Sequence, residues 1–182
     1  MRDQILGCIL GGAIGDALGG PHEGKRPPIE MSDDDEWRLS DDTQLTLATL
    51  EAITSCGGSV DPAVIADHFA RWHRASRVTG IGASTFKALS ELVFGCSGYV
   101  VESIPLALCG ASRIESLDFK NVLIELIACG GDTDTTASIA GQVMGALIGR
   151  GRLPEEMIAR TPERGSVEAI AGAFAESLDY YE

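Results

Sequence analysis

Aromatic and basic residues are both scarce in this sequence of 182 residues. Aromatics make up 5% of the chain, so its core must be built from small and aliphatic side chains. Lysine and arginine number 14 against 27 acidic residues, which gives a net charge of -13. Binding to a nucleic acid backbone needs basic patches that contact phosphates. The composition therefore argues against a nucleic acid partner and favours the binding of divalent cations.

Long apolar runs and paired cysteines are also absent. No stretch approaches the roughly 20 uncharged residues that a membrane span requires. The glycine-rich start continues into charged sequence without the small-residue cleavage site of a signal peptide. The 5 cysteines are odd in number and show no Cys-x-x-Cys spacing, which favours buried free thiols. We therefore expect a cytoplasmic protein with no membrane partner.

Glycine, by contrast, is abundant, with 22 residues, and some of it is regularly spaced. Every fourth residue from Gly7 to Gly19 is glycine within a segment that otherwise has helical apolar spacing. Each interior glycine costs a helix about 1 kcal/mol relative to alanine, so the stripe indicates close approach of another backbone. A second stripe of small residues runs from Ala137 to Gly149. If the two helices pack face to face, Asp16 and Asp132 could lie near one another.

The other periodic segments also predict helices, and no strand alternation is convincing. The length suits one domain spanning residues 1–182, and we expect an all-α fold. The acidic run Asp33 to Glu36 lies in a loop rich in glycine and proline and is expected to be solvated surface. Further helices are predicted at about 40–53, 61–72, 86–94, 100–109, 119–129, 154–159 and 167–178.

Two acidic clusters stand where predicted helices begin. They are Ser40-Asp41-Asp42 and Asp132-Thr133-Asp134-Thr135. Helix capping would account for one acid in each cluster, and it remains the alternative interpretation. Together the clusters offer four carboxylates and several hydroxyls, which is the ligand set expected for two hard divalent cations. No phosphate-binding loop, dinucleotide fingerprint or serine nucleophile elbow is present.

Four longer motifs carry a family resemblance. GGAIGDALGGPHEG, LSDDTQLTLATLEAI, TGIGASTFKAL and GGDTDTTASIAGQVMGALIG occur in this order. They resemble the motifs of the ADP-ribosylglycohydrolase family, and the resemblance covers most of residues 3–149. It implies a compact orthogonal bundle of helices with a dinuclear Mg²⁺ or Mn²⁺ centre. It also implies an enzyme that removes ADP-ribose from modified side chains or from related ADP-ribosyl compounds.

The resemblance also implies roles for particular residues. Glu23 matches a position where some family members place a catalytic or metal-gating glutamate, and Asp41 and Asp134 would act with it in catalysis. The implied metal ligands come from both acidic clusters and are Ser40, Asp41, Asp42, Asp132, Asp134 and Thr135.

The chain departs from the family pattern in its middle. Family members normally have a long central helical segment there, with an Asn-Gly-x-x-Met-Arg-x-x-Pro motif that lines the ADP-ribose site. Here Phe94-Gly95-Cys96 continues directly into Ser97, which indicates an internal deletion near 96–97 and the loss of part of the central helices. The apolar faces left behind would be either covered by another subunit or left poorly packed, so a homo-oligomer is one expectation.

Three interpretations of function follow. The first is a hydrolase with two Mg²⁺ or Mn²⁺ ions that attacks the anomeric carbon of an ADP-ribosyl small molecule or an ADP-ribosylated protein. The second is a non-catalytic, truncated relative that keeps the metal core as a structural or ligand-binding unit. The third is a different metal-dependent hydrolase that acts on a small nucleotide-like compound.

Overall fold

The computed structural model describes residues 1–79, 104, 107–108 and 110–179. These residues form helices and contain no strand, which confirms the all-α prediction. The α-helices are α1 (Arg2–Gly19), α2 (Asp41–Ser55), α3 (Pro62–Arg74), α4 (Phe119–Ala128), α5 (Thr133–Ile148), α6 (Glu155–Arg160) and α7 (Arg164–Asp179), with short 3₁₀ turns at Gly20–His22 and Arg150–Arg152.

The helix bounds agree closely with the sequence patterns. Local signals explain this, since Ser40, Asp61 and Asp118 cap α2, α3 and α4 with side-chain oxygens. The helix predicted at 86–94 and the deletion predicted near 96–97 lie outside the described residues, and so does most of the helix predicted at 100–109. Within the described part of the chain, no helix combines the length and apolar character needed to cross a membrane.

The two stripes of small residues pack directly against each other, as their spacing predicts. A Cβ atom at Gly11 would overlap the carbonyl oxygen of Gly141, and a Cβ at Gly141 would overlap that of Gly11. The helices are antiparallel, because Gly7 lies against Gly145 whereas Gly19 lies against Thr133. The C-terminal end of α1 therefore lies beside the N-terminal end of α5, where the second acidic cluster begins.

The remaining helices surround this central pair. α7 and α2 pack on one another, α7 also packs on α1, and α4 packs on α5. Burying one large aliphatic side chain stabilises the fold by about 1.5–3 kcal/mol. Among the described residues, the largest apolar side chains that are fully buried are Leu10, Ile14, Leu47, Val122, Leu123, Ile127, Met144, Ile158 and Val167.

Two surface expectations are wrong in part. In the acidic run, Asp33, Asp34 and Glu36 are exposed as expected, but Asp35 is half-buried against His22. Among the cysteines, Cys8 and Cys56 are half-buried free thiols, whereas Cys129 is exposed. Apolar neighbours in sequence did not bury Cys129, because it follows the last turn of α4 and lies on its outer side.

Candidate metal centre

The buried end of α1 places an acid beneath the start of α2. Asp16 has no exposed surface, and its two carboxylate oxygens each accept from the backbone N–H of Ser40 at 3.1 Å. Its Oδ2 also accepts from the N–H of Thr43 at 3.2 Å. The first turn of a helix has unpaired N–H groups and a positive dipole end, which both favour a carboxylate. Asp16 therefore fixes the first acidic cluster against α1.

In the first cluster, Ser40 caps α2 and Asp42 faces the second cluster. Ser40 is the cap of α2, and its hydroxyl accepts from the N–H of Asp42 at 3.1 Å. Asp41 and Asp42 are half-buried in the first turn of the helix. The carboxylate of Asp42 instead faces the second cluster, where its Oδ2 accepts from the hydroxyl of Thr135 at 3.1 Å. This hydrogen bond joins residues 93 positions apart in the sequence.

The second cluster opens α5 and is anchored to α1. The hydroxyl of Thr133 is buried and donates to the carbonyl oxygen of Gly19 at 2.9 Å. Asp132 occupies the cap position but makes no side-chain cap bond, so capping does not explain its presence. Asp134 is 7% exposed, and its Oδ1 accepts from the N–H of Thr135 at 2.9 Å.

The loop after α1 carries Glu23 to the same place. The N–H of Gly24 donates to the carbonyl oxygen of Gly131 at 2.7 Å, and Gly131 donates in return to Lys25 at 3.4 Å. Gly130 has a φ of 72°, and a Cβ there would lie 2.7 Å from the carbonyl oxygen of Lys25. Glycine is required at this position for both reasons. The paired loops hold the exposed Glu23 beside the acids that begin α5.

The carboxylates converge in two groups of three that share Asp134. One group is Asp16, Asp42 and Asp134, and the other is Glu23, Asp132 and Asp134. In each group, one oxygen from every member lies within 4.8 Å of the others, close enough for a shared cation. Asp41 belongs to neither group among the described residues, although its charge acts on Asp42.

Electrostatics confirms that the carboxylates are crowded. Burial, reinforced by the nearby charge of Asp16, raises the pKa of Asp42 to about 7. Burial and a hydrogen bond with the side chain of Asp132 raise the pKa of Asp134 to about 8. Burial raises the pKa of Asp16 as well, although hydrogen bonds from Ser40 and Thr43 oppose this. Near neutral pH the centre therefore retains protons that a bound cation would displace.

The donor set fits a hard divalent cation. The converging groups are carboxylates, with the hydroxyls of Ser40 and Thr135 beside Asp42. Oxygen ligands of this kind suit Mg²⁺ or Mn²⁺ and not the softer metals that prefer thiolates. The hydroxyl of Thr43 is also buried beside this set, next to the carboxylate of Asp16.

Sequence reasoning placed Asp16 near the site and Thr43 in a family motif, but it included neither among the site residues. One signal for Asp16 was available, because it is the only aspartate, glutamate, lysine or arginine between Asp3 and Glu23. A single acid in an otherwise apolar helix needs polar partners when the helix is buried. Here the N–H groups at the start of α2 supply those partners.

Two comparisons show which known proteins the chain is similar to. It is 31% identical over 109 residues to a protein of Archaeoglobus fulgidus described as uncharacterized, and this match covers 52% of the chain and 35% of that protein. The chain thus spans about a third of the length of that relative. It also shares its fold with a solved structure described as an ADP-ribosylglycohydrolase-related protein complex. That likeness has a TM-score of 0.68 at 19% identity and covers 97% of this chain and 98% of the other.

A family model matches nearly the whole chain. The family model described as ADP-ribosylglycohydrolase matches residues 1–95 and residues 90–181, which together cover nearly the whole sequence. Both acidic clusters and the Glu23 loop fall within the matched residues. The chain therefore belongs to the ADP-ribosylglycohydrolase family.

Proposed function

We propose that the chain is a metal-dependent hydrolase that removes ADP-ribose from an ADP-ribosylated side chain or a related ADP-ribosyl compound. Family membership supports a glycohydrolase-type activity. The observation that carries the proposal is the convergence of acids from three separate segments on Asp134. Capping does not account for this convergence, because Asp132 makes no cap bond and Glu23 reaches Asp132 and Asp134 from a loop.

Two Mg²⁺ or Mn²⁺ ions would be held by the two acidic groups. When bound, such ions activate a water molecule and stabilise negative charge on substrate oxygens. Asp134 is the shared member of both groups, so its loss should affect both ions. The predicted ligands are Ser40, Asp41, Asp42, Asp132, Asp134 and Thr135, and the geometry adds Asp16 and Glu23 as acids within reach.

Exposure indicates the side from which a substrate would approach. Glu23 and Asp132 are exposed, whereas Asp16 is completely buried beneath α2. The anomeric carbon of an ADP-ribosyl group would therefore be presented at the Glu23 side of the centre. There the carboxylate of Glu23 can accept a proton from an attacking water or return it to the leaving group.

Residues behind the centre orient the groups that face the substrate. Asp16 holds the first turn of α2 through its three backbone hydrogen bonds. The hydroxyl of Thr135 holds Oδ2 of Asp42 between the clusters. Hydrogen bonds of this kind orient metal ligands, and their loss typically weakens metal binding.

A non-catalytic, metal-binding relative is the second candidate. The sequence lacks the central segment and its Asn-Gly-x-x-Met-Arg-x-x-Pro motif, which leaves the walls of a substrate pocket unassigned. The family model also matches in two pieces that meet at residues 90–95, near the proposed deletion. This candidate keeps the same metal ligands and predicts binding of ADP-ribose or metal without turnover.

Release of ADP-ribose from several linkages distinguishes the two candidates. Arginine-linked and serine-linked ADP-ribosyl peptides are incubated with the protein in Mg²⁺, in Mn²⁺ and in EDTA. We expect release that requires a divalent cation and is lost in Asp41→Ala and Asp134→Ala, but not in the exposed control Asp34→Ala. If the wild type binds Mn²⁺ yet releases nothing from any linkage, the non-catalytic candidate is supported instead.

A further inference from the structure

The residue before Glu23 is a buried histidine at the end of α1. His22 is 1% exposed, although it lies in the short 3₁₀ turn that begins a polar loop. Its Nδ1 is 3.5 Å from Nζ of Lys25. An ammonium group can only donate, so in the neutral ring Nδ1 is the acceptor of this contact and Nε2 carries the proton. Nε2 is also buried and has no aligned hydrogen bond among the described residues.

The carboxylate of Asp35 lies in close contact with this nitrogen, without the alignment of a hydrogen bond. Its Oδ2 lies 3.0 Å from Nε2 of His22, and the side chains are 21% and 1% exposed respectively. The same oxygen accepts from the N–H of Ser32 at 2.8 Å, and the N–H of Asp35 donates to the carbonyl oxygen of Ser32 at 3.2 Å. Asp35 thus belongs to a closed turn that covers the histidine.

Arg160, the last residue of α6, holds the turn that contains Asp35. Nη2 of Arg160 donates to the carbonyl oxygens of Asp33 and Asp35, at 2.8 Å and 2.7 Å. The guanidinium also lies 4.7 Å from the centre of the Trp37 ring, in a cation–π contact. The acidic run is therefore fixed by its backbone and by one side chain, while its other acids are exposed.

We propose that His22 and Asp35, braced by Arg160, position the Glu23 loop against Asp132 and Asp134. His22 directly precedes Glu23, and Gly24 is the residue whose N–H bonds to the loop of Gly131. Glu23 lies between the histidine ring and the Gly24 amide. Because both of these groups are held in place, the backbone of Glu23 has little freedom to move. His22 and Asp35 are positioning residues, and the functional consequence for Glu23 rests on the proposed hydrolase function.

Hydrogen exchange at the Gly24 amide tests the placement without requiring metal or substrate. In Asp35→Ala we expect this amide to exchange at least about tenfold faster than in the wild type, because the loop opens more often. Asp34→Ala removes the same charge from the neighbouring exposed position and should leave the rate unchanged. Equal rates in Asp35→Ala and Asp34→Ala would overturn the proposal.

Two substitutions of His22 test whether its ring positions the Glu23 loop or only stabilises the fold. Glutamine can place an amide N–H near the position of Nε2, so His22→Gln should keep the Gly24 amide protected, whereas His22→Leu should not. Loss of protection in both variants, with Asp35→Ala unchanged, would contradict a role for the pair. If His22→Leu does not fold, the partly exposed Asp35 position still decides the question.

Metal affinity provides the functional readout. If the pair acts through Glu23, Asp35→Ala should weaken Mn²⁺ binding by about the same factor as Glu23→Gln. The double variant should bind no more weakly than Glu23→Gln alone. Additive losses would show that Asp35 does not act through Glu23. If the wild type binds no Mn²⁺, the proposed function fails, while the Gly24 exchange rates still decide whether the pair positions the loop.

Discussion

The α1 and α5 pair contains two regions with opposite energetics. Along most of its length, glycine backbones meet without charge, and the Gly11 and Gly141 contact leaves no space for a methyl group. At the end marked by Gly19 and Thr133, buried acids face one another, and their pKa values are raised. The first region favours folding by close packing, whereas the second opposes it by desolvation and repulsion.

This difference shows how an unfavourable site persists. Bringing buried carboxylates together without a cation destabilises the folded state. The helix pair offsets that cost at a distance, through glycine contacts such as that of Gly11 with Gly141, which carry no charge. The same rigid pair fixes the positions of Asp16 and Asp134, one on each helix. The contacts that stabilise the fold and the proposed metal site therefore lie in different parts of one helix pair.

The largest expected effect comes from disturbing the glycine contact. Gly11→Ala would drive a methyl group into the carbonyl oxygen of Gly141, and neither backbone can move without disturbing its helix. Overpacking usually costs about 1–3 kcal/mol, and we expect the upper end of this range or complete loss of folding. The free energy of unfolding in urea measures the effect.

A matched glycine sharpens this test. Gly165 lies in α7, and a Cβ there would meet nothing within 4 Å. Alanine favours a helix over glycine by about 1 kcal/mol, so Gly165→Ala should be neutral or stabilising. If Gly11→Ala and Gly165→Ala change the unfolding free energy alike, close packing is not the source of stability at the interface.

The next effect is a pH dependence of the metal-free protein. The folded pKa values of about 7 for Asp42 and about 8 for Asp134 exceed the ordinary value of 3.8. Between these limits the folded state binds protons that the unfolded chain has released, so the free energy of unfolding falls as pH rises from about 4 to 8. In EDTA we expect the melting temperature to drop by more than about 5 °C over this range.

Two controls connect the drop to the acidic centre. Asp134→Asn removes one of the titrating groups and should flatten the dependence, while Asp34→Asn should leave it as in the wild type. Saturating Mg²⁺ should raise the melting temperature most at the upper end of the range, where the carboxylates are ionised. A melting temperature in EDTA that rises with pH in this interval would contradict the assignment of repulsion to these acids.

Sequence patterns anticipated the helix pair and both acidic clusters, because periodicity, caps and glycine spacing are local signals. The four-residue glycine spacing was enough to predict which helices meet and that Asp16 could lie near Asp132. The bond of Asp16 to the start of α2 was not predictable in this way. It depends on where the chain returns after a loop of some 20 residues, and no local pattern specifies that position.

The role of Asp35 could not be predicted either. An acidic run is normally solvated, and Asp34 and Asp35 are indistinguishable in sequence. Only the fold brings Arg160 and His22 to one of them. Long-range contacts that involve a single side chain leave no periodic signal in the sequence. The acidic clusters could therefore be predicted, whereas the contacts made by Asp16 and Asp35 could not.

The smallest expected effect tests the link between the clusters. Thr135→Val keeps the side-chain shape but removes the hydroxyl that donates to Asp42. We expect Mn²⁺ affinity to fall about tenfold, as for other groups that orient or complete a metal site. Thr49→Val makes the same change on α2, where the hydroxyl donates to the carbonyl oxygen of Leu45. An equal loss of Mn²⁺ affinity in both variants would remove any specific role for Thr135.

The central claim is that the carboxylates crowded around Asp134 form a cation site, and calorimetric titration with Mn²⁺ tests it most directly. For the wild type the account predicts binding of two ions per chain, with release of protons from the acids whose pKa values are raised. For Asp134→Asn it predicts at least about a 100-fold loss of affinity. Failure of the wild type to bind Mn²⁺, or equal binding by Asp134→Asn, would contradict it.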